Sequence, residues 1–139
     1  CGCGRSGCLE QAASATGIRN LALILLHETD DDSSLRGIAE DELTAKDILD
    51  HAKAGDSLAL QASYKAMDYI AAAAAQIACV VDTEAFIIGG GVSKAGDFLI
   101  DGIRERYTAR AFYPVKDIPF LAASLGNDAG MTGAARMVL

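Results

Sequence analysis

Residues 1–10 read "CGCGRSGCLE", with three cysteines and three glycines inside eight positions. That density narrows the choices to a disulfide or redox device, or a tight loop that aims several sulfurs at one metal ion. Spacing favours the metal. Cys1 and Cys3 are too close along the chain for an easy mutual bridge, and the rest reads as a regular helical protein rather than a loop-rich secreted scaffold. Gly2, Gly4 and Gly7 permit left-handed backbone, so the thiolates of Cys1, Cys3 and Cys8 can converge as a tetrahedral zinc ion requires. Structural zinc takes four protein ligands. Three are present here, and His27 and His51 are the other candidates, each lying in a segment with a helical pattern of its own.

Glu10 stands two residues past the last cysteine of this loop. It is either ordinary electrostatics for the first turn of a helix or a carboxylate fixed by a rigid loop to accept hydrogen bonds from ligand hydroxyls. The fourth cysteine, Cys79, has small apolar neighbours and is expected to be a buried structural thiol.

A length of 139 residues is one ordinary domain with one core. The net charge of −7 and a pI near 4.6 exclude a nucleic-acid surface in this segment, because phosphate binding needs clustered Lys and Arg. The most apolar stretch, "AMDYIAAAAAQIACVV" (66–81), carries Asp68 and Gln76 and is mostly alanine, so it is a packed helix rather than a membrane span.

Hydrophobic spacing predicts helix over 8–28, interrupted near Thr16 and Gly17. The acidic stretch 29–42 reads as a solvated surface connection. A helix follows over 44–55, with Thr44 as N-cap, Asp47 completing an acidic capping box and Gly55 as the stop. Asp56 then opens a long helix to about Val81, with Leu60, Tyr64, Met67, Ile70, Ala71, Ala74, Ile77 and Ala78 at helical spacing. Beyond it the pattern changes to two units of strand, glycine-bearing turn and helix, "AFIIGGGVSKAGDFLIDGIRERY" (85–107) and "DIPFLAASLGNDAGMTGAARMVL" (117–139). Two such units imply a parallel α/β arrangement with ligand space at the strand C-terminal ends. Two strands make a thin sheet. Gly89, Gly90 and Gly91 leave backbone bare for close approach of a flat or phosphorylated ligand, although a tight strand-to-helix turn would have the same residues. They form neither a Walker A motif nor a dinucleotide fingerprint. Asn127 and Asp128 are candidate helix caps.

Taken in order, "CGCGRSGCLE", "IIGGGVS" and "LGNDAGMTGAA" resemble the C-terminal half of ROK proteins, a family of bacterial sugar kinases and sugar-responsive repressors. The segments "ASATG" and "LTAKDILDHAKAGD" are similar to the glucokinases of Gram-positive bacteria. The resemblance covers essentially the whole chain. It implies the C-terminal lobe of an actin-like, hexokinase-like (ribonuclease H-like) ATPase fold over residues 1–139, helix-rich with part of a parallel sheet. By the same resemblance Cys1, Cys3 and Cys8 hold a structural zinc ion whose fourth ligand is an upstream His. Glu10 accepts hydrogen bonds from sugar hydroxyls, and Gly89, Gly90 and Gly91 lie beside the nucleotide.

The family's "DxGGT" phosphate turn, its catalytic Asp and its "ExGH" stretch are absent from the 139 residues. "VVDTEAF" also stands where relatives often carry Asn-Pro. The chain is therefore expected to be a fragment that begins at the zinc loop, with no catalytic residue of its own. Its parent is expected to be a cytoplasmic, homo-oligomeric glucokinase using ATP with Mg²⁺ to make glucose 6-phosphate, without membrane or nucleic-acid partners. The alternatives are the sugar-sensing lobe of a ROK repressor, or a ROK kinase for another hexose.

Overall fold

A computed structural model describes residues 1–124 and 129–137. Four helices come first: α1 (Glu10–Ala13), α2 (Ala15–Glu28), α3 (Ala45–Lys53) and α4 (Ser57–Ala78). Strand β1 (Phe86–Ile88), helix α5 (Asp97–Thr108), strand β2 (Phe120–Ala122) and helix α6 (Ala129–Arg136) complete the order. The strands pair in parallel, Phe86 opposite Phe120 and Ile88 opposite Ala122. Helix-rich with a small parallel sheet, the chain has the fold class its sequence suggests. Among the described residues, no helix is long and apolar enough to cross a membrane.

Local chemistry sets the helix limits. Thr44 caps α3 with the expected capping box: its hydroxyl accepts from Asp47 N, and its own N–H donates to Asp47 Oδ2 at 3.0 Å. Gly55 follows the C-cap Ala54, and Asp56 starts α4 by accepting from Ala59 N at 2.9 Å. The break in the first helical segment falls at Ser14, earlier than Thr16 and Gly17. Ser14 is extended (ψ 171°) and caps α2 by accepting from Gly17 N at 3.1 Å, so a serine's competing hydrogen bond makes the corner.

Helix α4, about 33 Å long at 1.5 Å per residue, carries both halves of the core. Its first half packs Leu58, Ala59, Ala62 and Ala66 against Ile18 and Ala22 of α2 and Ile48 and Leu49 of α3. The second half packs Met67, Ala71, Ala74 and Ala78 against Leu99 and Ile103 of α5, Tyr107 and Phe120. The expected stripe is only partly the buried one. Met67, Ala71, Ala74 and Ala78 are buried, whereas Tyr64 and Ile77 keep 38% and 49% of their surface exposed. Close approach of neighbouring helices selects alanine, not the larger side chains that a hydrophobicity pattern favours. The helix also ends at Ala78 rather than Val81. Cys79 is exposed, which overturns its expected burial: as C-cap it lies one residue, about 100° of turn, beyond the buried row.

Phe86 and Phe120 stack, and Tyr107 meets both edge to face, with ring centroids 5.0 to 5.7 Å apart; Tyr107 Oη donates to Val115 O at 2.6 Å. On the sheet's other face Ile87 and Leu121 remain 69% and 49% exposed, as a two-stranded sheet with one covered face must leave them. Strand β2 is shorter than the apolar run 118–124 suggested, and α5 begins only after a 3-10 turn over Gly91–Ala95. Asn127 and Asp128, the candidate caps of α6, lie outside the described residues.

The acidic connection after α2 is mostly exposed, as expected, except that Leu35 is fully buried in the core, and it is tethered. Arg36 donates to the carbonyls of Leu26, Thr29 and Asp31, and Arg19 donates to those of Glu40 and Leu43. Ser33 and Ser34 both donate to Asp56. Partial burial pushes the Asp56 carboxyl up, but the bonds from Ala59, Ser34 and Ser33 outweigh it and hold it at about 2, against an ordinary 3.8. A folded-state value below the unfolded one means stability that is complete above pH 4 and lost as pH falls from about 4 to about 2. Its size is on the order of 2 kcal/mol. Thermal melts of wild type and Asp56→Asn should therefore differ at neutral pH and converge across that window; a gap unchanged down to pH 2 would refute the assignment.

Candidate functional site

The cysteine loop folds as its glycines permit. Gly4 and Gly7 have φ of 77° and 73°, and Gly4 N donates to Cys1 O at 3.0 Å. This turn gathers the sulfurs: Cys1 Sγ to Cys3 Sγ is 3.2 Å, Cys3 Sγ to Cys8 Sγ is 3.6 Å, and all three lie within 4.8 Å of one another. Two thiolates at adjacent corners of a zinc tetrahedron, with Zn–S about 2.3 Å, stand about 3.8 Å apart. The donor set therefore fits three corners of such a site. Cys3 N also donates towards Cys1 Sγ at 3.4 Å. Neither histidine candidate joins the cluster. His27 Nε2 is 2.7 Å from Glu40 Oε1, and His51 Nδ1 is 2.5 Å from Ser34 Oγ. No fourth His, Cys, Asp or Glu completes the set among the described residues.

Glu10 opens α1 directly beyond the loop and is exposed. Gln11 N donates to Cys8 O at 3.0 Å, so the helix start is bonded to the third cysteine residue. The other end of α1 is held by the Ser14 corner and by close packing at Gly17. A Cβ on Gly17 would come within 2.7 Å of the Gln11 and Ala12 backbone. The carboxylate therefore stands on a short helix fixed at both ends.

Gly89, Gly90 and Gly91 follow β1 at its C-terminal end. Gly90 has φ of 84°, the left-handed region that favours glycine, and Gly90 O accepts from Ser93 N and Ser93 Oγ at 3.2 and 2.7 Å. Beside this turn lies a groove of about 320 Å³. Ala15, Ala45 and Leu49 form one side, Gly91, Val92 and Ala95 the other, and the exposed Lys46 and Lys94 border it. Sequence reasoning located the glycines but missed the groove. The Ala45 and Leu49 pair at i, i+4 signals an apolar face on α3, yet nothing local says that it meets the glycine turn.

Known proteins share this sequence pattern and fold. A family model described as the ROK family matches residues 1–139. A glucokinase of Halalkalibacterium halodurans is 41% identical over 144 residues, which cover 99% of this chain and 42% of that protein. An N-acetylmannosamine kinase of Escherichia coli O7:K1 is 34% identical over 142 residues, covering 100% and 42%. Among solved structures, a ROK family glucokinase of Streptomyces griseus in complex with glucose and AMPPNP superposes with a TM-score of 0.87 at 33% identity, over 99% of this chain and 46% of that one. A ROK family transcriptional regulator, homologue of the E. coli MLC protein, superposes at 0.78 with 28% identity, over 97% and 34%. The chain thus spans about two fifths of the length of the curated relatives.

The thiolate cluster is directly testable. Cobalt(II) added to the full-length protein under reducing conditions should give sulfur-to-metal charge-transfer absorption, and Cys3→Ser should abolish it or lower the affinity at least about tenfold. Identical spectra for both proteins would remove Cys3 from the site.

Proposed function

The chain belongs to the ROK family, and we propose that it is the C-terminal lobe of an ATP-dependent sugar kinase, with glucose as the substrate. One observation carries the reading. Ala15 forms a wall of the groove beside Gly91 and Val92, and Glu10 stands only five residues before it, across a single short helix. A carboxylate suited to sugar hydroxyls and a bare-backbone turn suited to a nucleotide are thus parts of one rigid corner.

In this reading Glu10 accepts hydrogen bonds from sugar hydroxyls and orients the ring. The groove takes the nucleotide base, and Gly89, Gly90 and Gly91 admit the ribose and phosphates without side-chain obstruction. The sugar 6-hydroxyl oxygen attacks the γ-phosphorus, the bond to the β-phosphate oxygen breaks, and the hydroxyl proton passes to a carboxylate base on a preceding segment. Mg²⁺ bound with ATP supplies charge neutralisation. Cys1, Cys3 and Cys8 would hold a structural zinc ion, which ties the loop to the start of α1 and so fixes the aim of Glu10. The identity to glucokinases and the likeness to a glucose and AMPPNP complex support this choice.

Two observations favour other readings. The 34% identity to an N-acetylmannosamine kinase favours a kinase for a different hexose. The likeness to a transcriptional regulator favours a lobe that senses sugar and does not phosphorylate it. A sugar panel with coupled measurement of ADP release separates all three, because the sensing lobe binds sugar and releases no ADP.

Replacing Glu10 by Gln in the full-length protein should raise the glucose KM by about 10- to 100-fold, the loss of one or two charge-assisted hydrogen bonds. The ATP KM should stay within about threefold, since Glu10 belongs to the sugar side. An unchanged glucose KM would overturn its role.

A further inference from the structure

We infer that the groove between α3 and the glycine turn holds a purine base by shape and apolar contact, so the protein selects its phosphoryl donor by the phosphate chain rather than by the identity of the base. The inference rests on the kinase reading above and deepens it. A volume of about 320 Å³ is at the small end for ligand pockets, room for a flat base rather than a whole nucleotide. Its walls, Ala15, Ala45, Leu49, Val92 and Ala95, carry no hydrogen-bonding side chain.

The polar groups around the groove already have partners. Thr44 Oγ1 donates to Asp47 Oδ2 at 2.5 Å, and the same oxygen accepts from Asp47 N. Lys46 Nζ donates to Asp50 Oδ2 at 2.7 Å, and Asp50 Oδ1 lies 3.5 Å from Lys53 Nζ. At the turn, Gly90 O accepts two hydrogen bonds from Ser93. Thr44 and Asp50 are thus engaged by partners within α3, and the surface offered to a base is mainly apolar. Lys94 is the contrasting case: it is exposed and makes no ion pair among the described residues, so its charge suits the phosphate chain.

Magnitudes separate the two kinds of site. Apolar pockets discriminate between similar ligands by about 10- to 200-fold, whereas a pocket built on hydrogen bonds rejects the wrong partner by roughly 10⁴ or more. The test uses the full-length protein with saturating sugar and the Mg²⁺ complexes of ATP, GTP and ITP. We expect kcat/KM values for the three within about 100-fold. A second measurement fills the groove with Ala95→Phe, which should raise KM for all three nucleotides by a common factor of at least about 10, with sugar affinity by calorimetry unmoved. GTP and ITP used more than about 1000-fold less efficiently than ATP would overturn the inference and leave the kinase reading intact. If that selectivity vanished in Asp50→Asn, Asp50 would be the reader of the base. Failure to use any nucleoside triphosphate would instead bring down the kinase reading and this inference together.

Discussion

The buried alanine row of α4 sets the spacing on which the rest of the structure depends. Because Ala59, Ala62, Ala66, Ala71, Ala74 and Ala78 present so little bulk, α2, α3 and α5 can all lie close against one helix. A larger residue in that row would push a neighbour outward, since a packed interior has no free volume to absorb it. The two clusters meet where Ala66 gives way to Met67, so displacement in one is felt in the other. Through α2 the effect reaches the Ser14 corner and the cysteine loop. Through α5 it reaches the glycine turn.

That arrangement explains how short and exposed elements can be precise. Helix α1 has four residues and no buried one, too few to be stable alone. Its position comes from its ends, the Cys8 carbonyl on one side and the close backbone contact at Gly17 on the other. The glycine turn is likewise held from outside itself, by β1 pairing with β2 before it and by α5 packing after it. The cysteine loop, α1 and the glycine turn are all surface elements, and rigidity is supplied by the core beneath.

Polar chemistry secures the one long connection. Residues 29–44 place Leu35 and Leu43 in the core, and Arg19, Arg36 and Asp56 tie the segment to α2 and α4 through backbone and serine contacts. This matters for the groove because the connection leads into α3, whose first two turns supply Ala45 and Leu49 to its wall. An acidic run that reads as mere solvated surface therefore holds the buried Leu35 and the Arg36 clamp, and is gripped from outside by Arg19 and Asp56.

Local rules are enough for much of this protein. Cysteine and glycine spacing dictates a sulfur-gathering loop and Thr44 with Asp47 dictates a helix start, because each depends on neighbours within a few residues; the parallel pairing of β1 with β2 follows instead from the strand–helix–strand order. What local rules misplace are helix ends, shifted by a few residues, and burial set by distant partners. Cys79 is exposed because α4 stops one residue before it, the corner falls on Ser14 because its hydroxyl finds Gly17 N, and alanines are buried where larger residues were expected because three helices crowd one face. The groove is the clearest case. Leu49 and Val92 are 43 positions apart in the sequence, and only the packing of α3 against the glycine turn makes them two sides of one space.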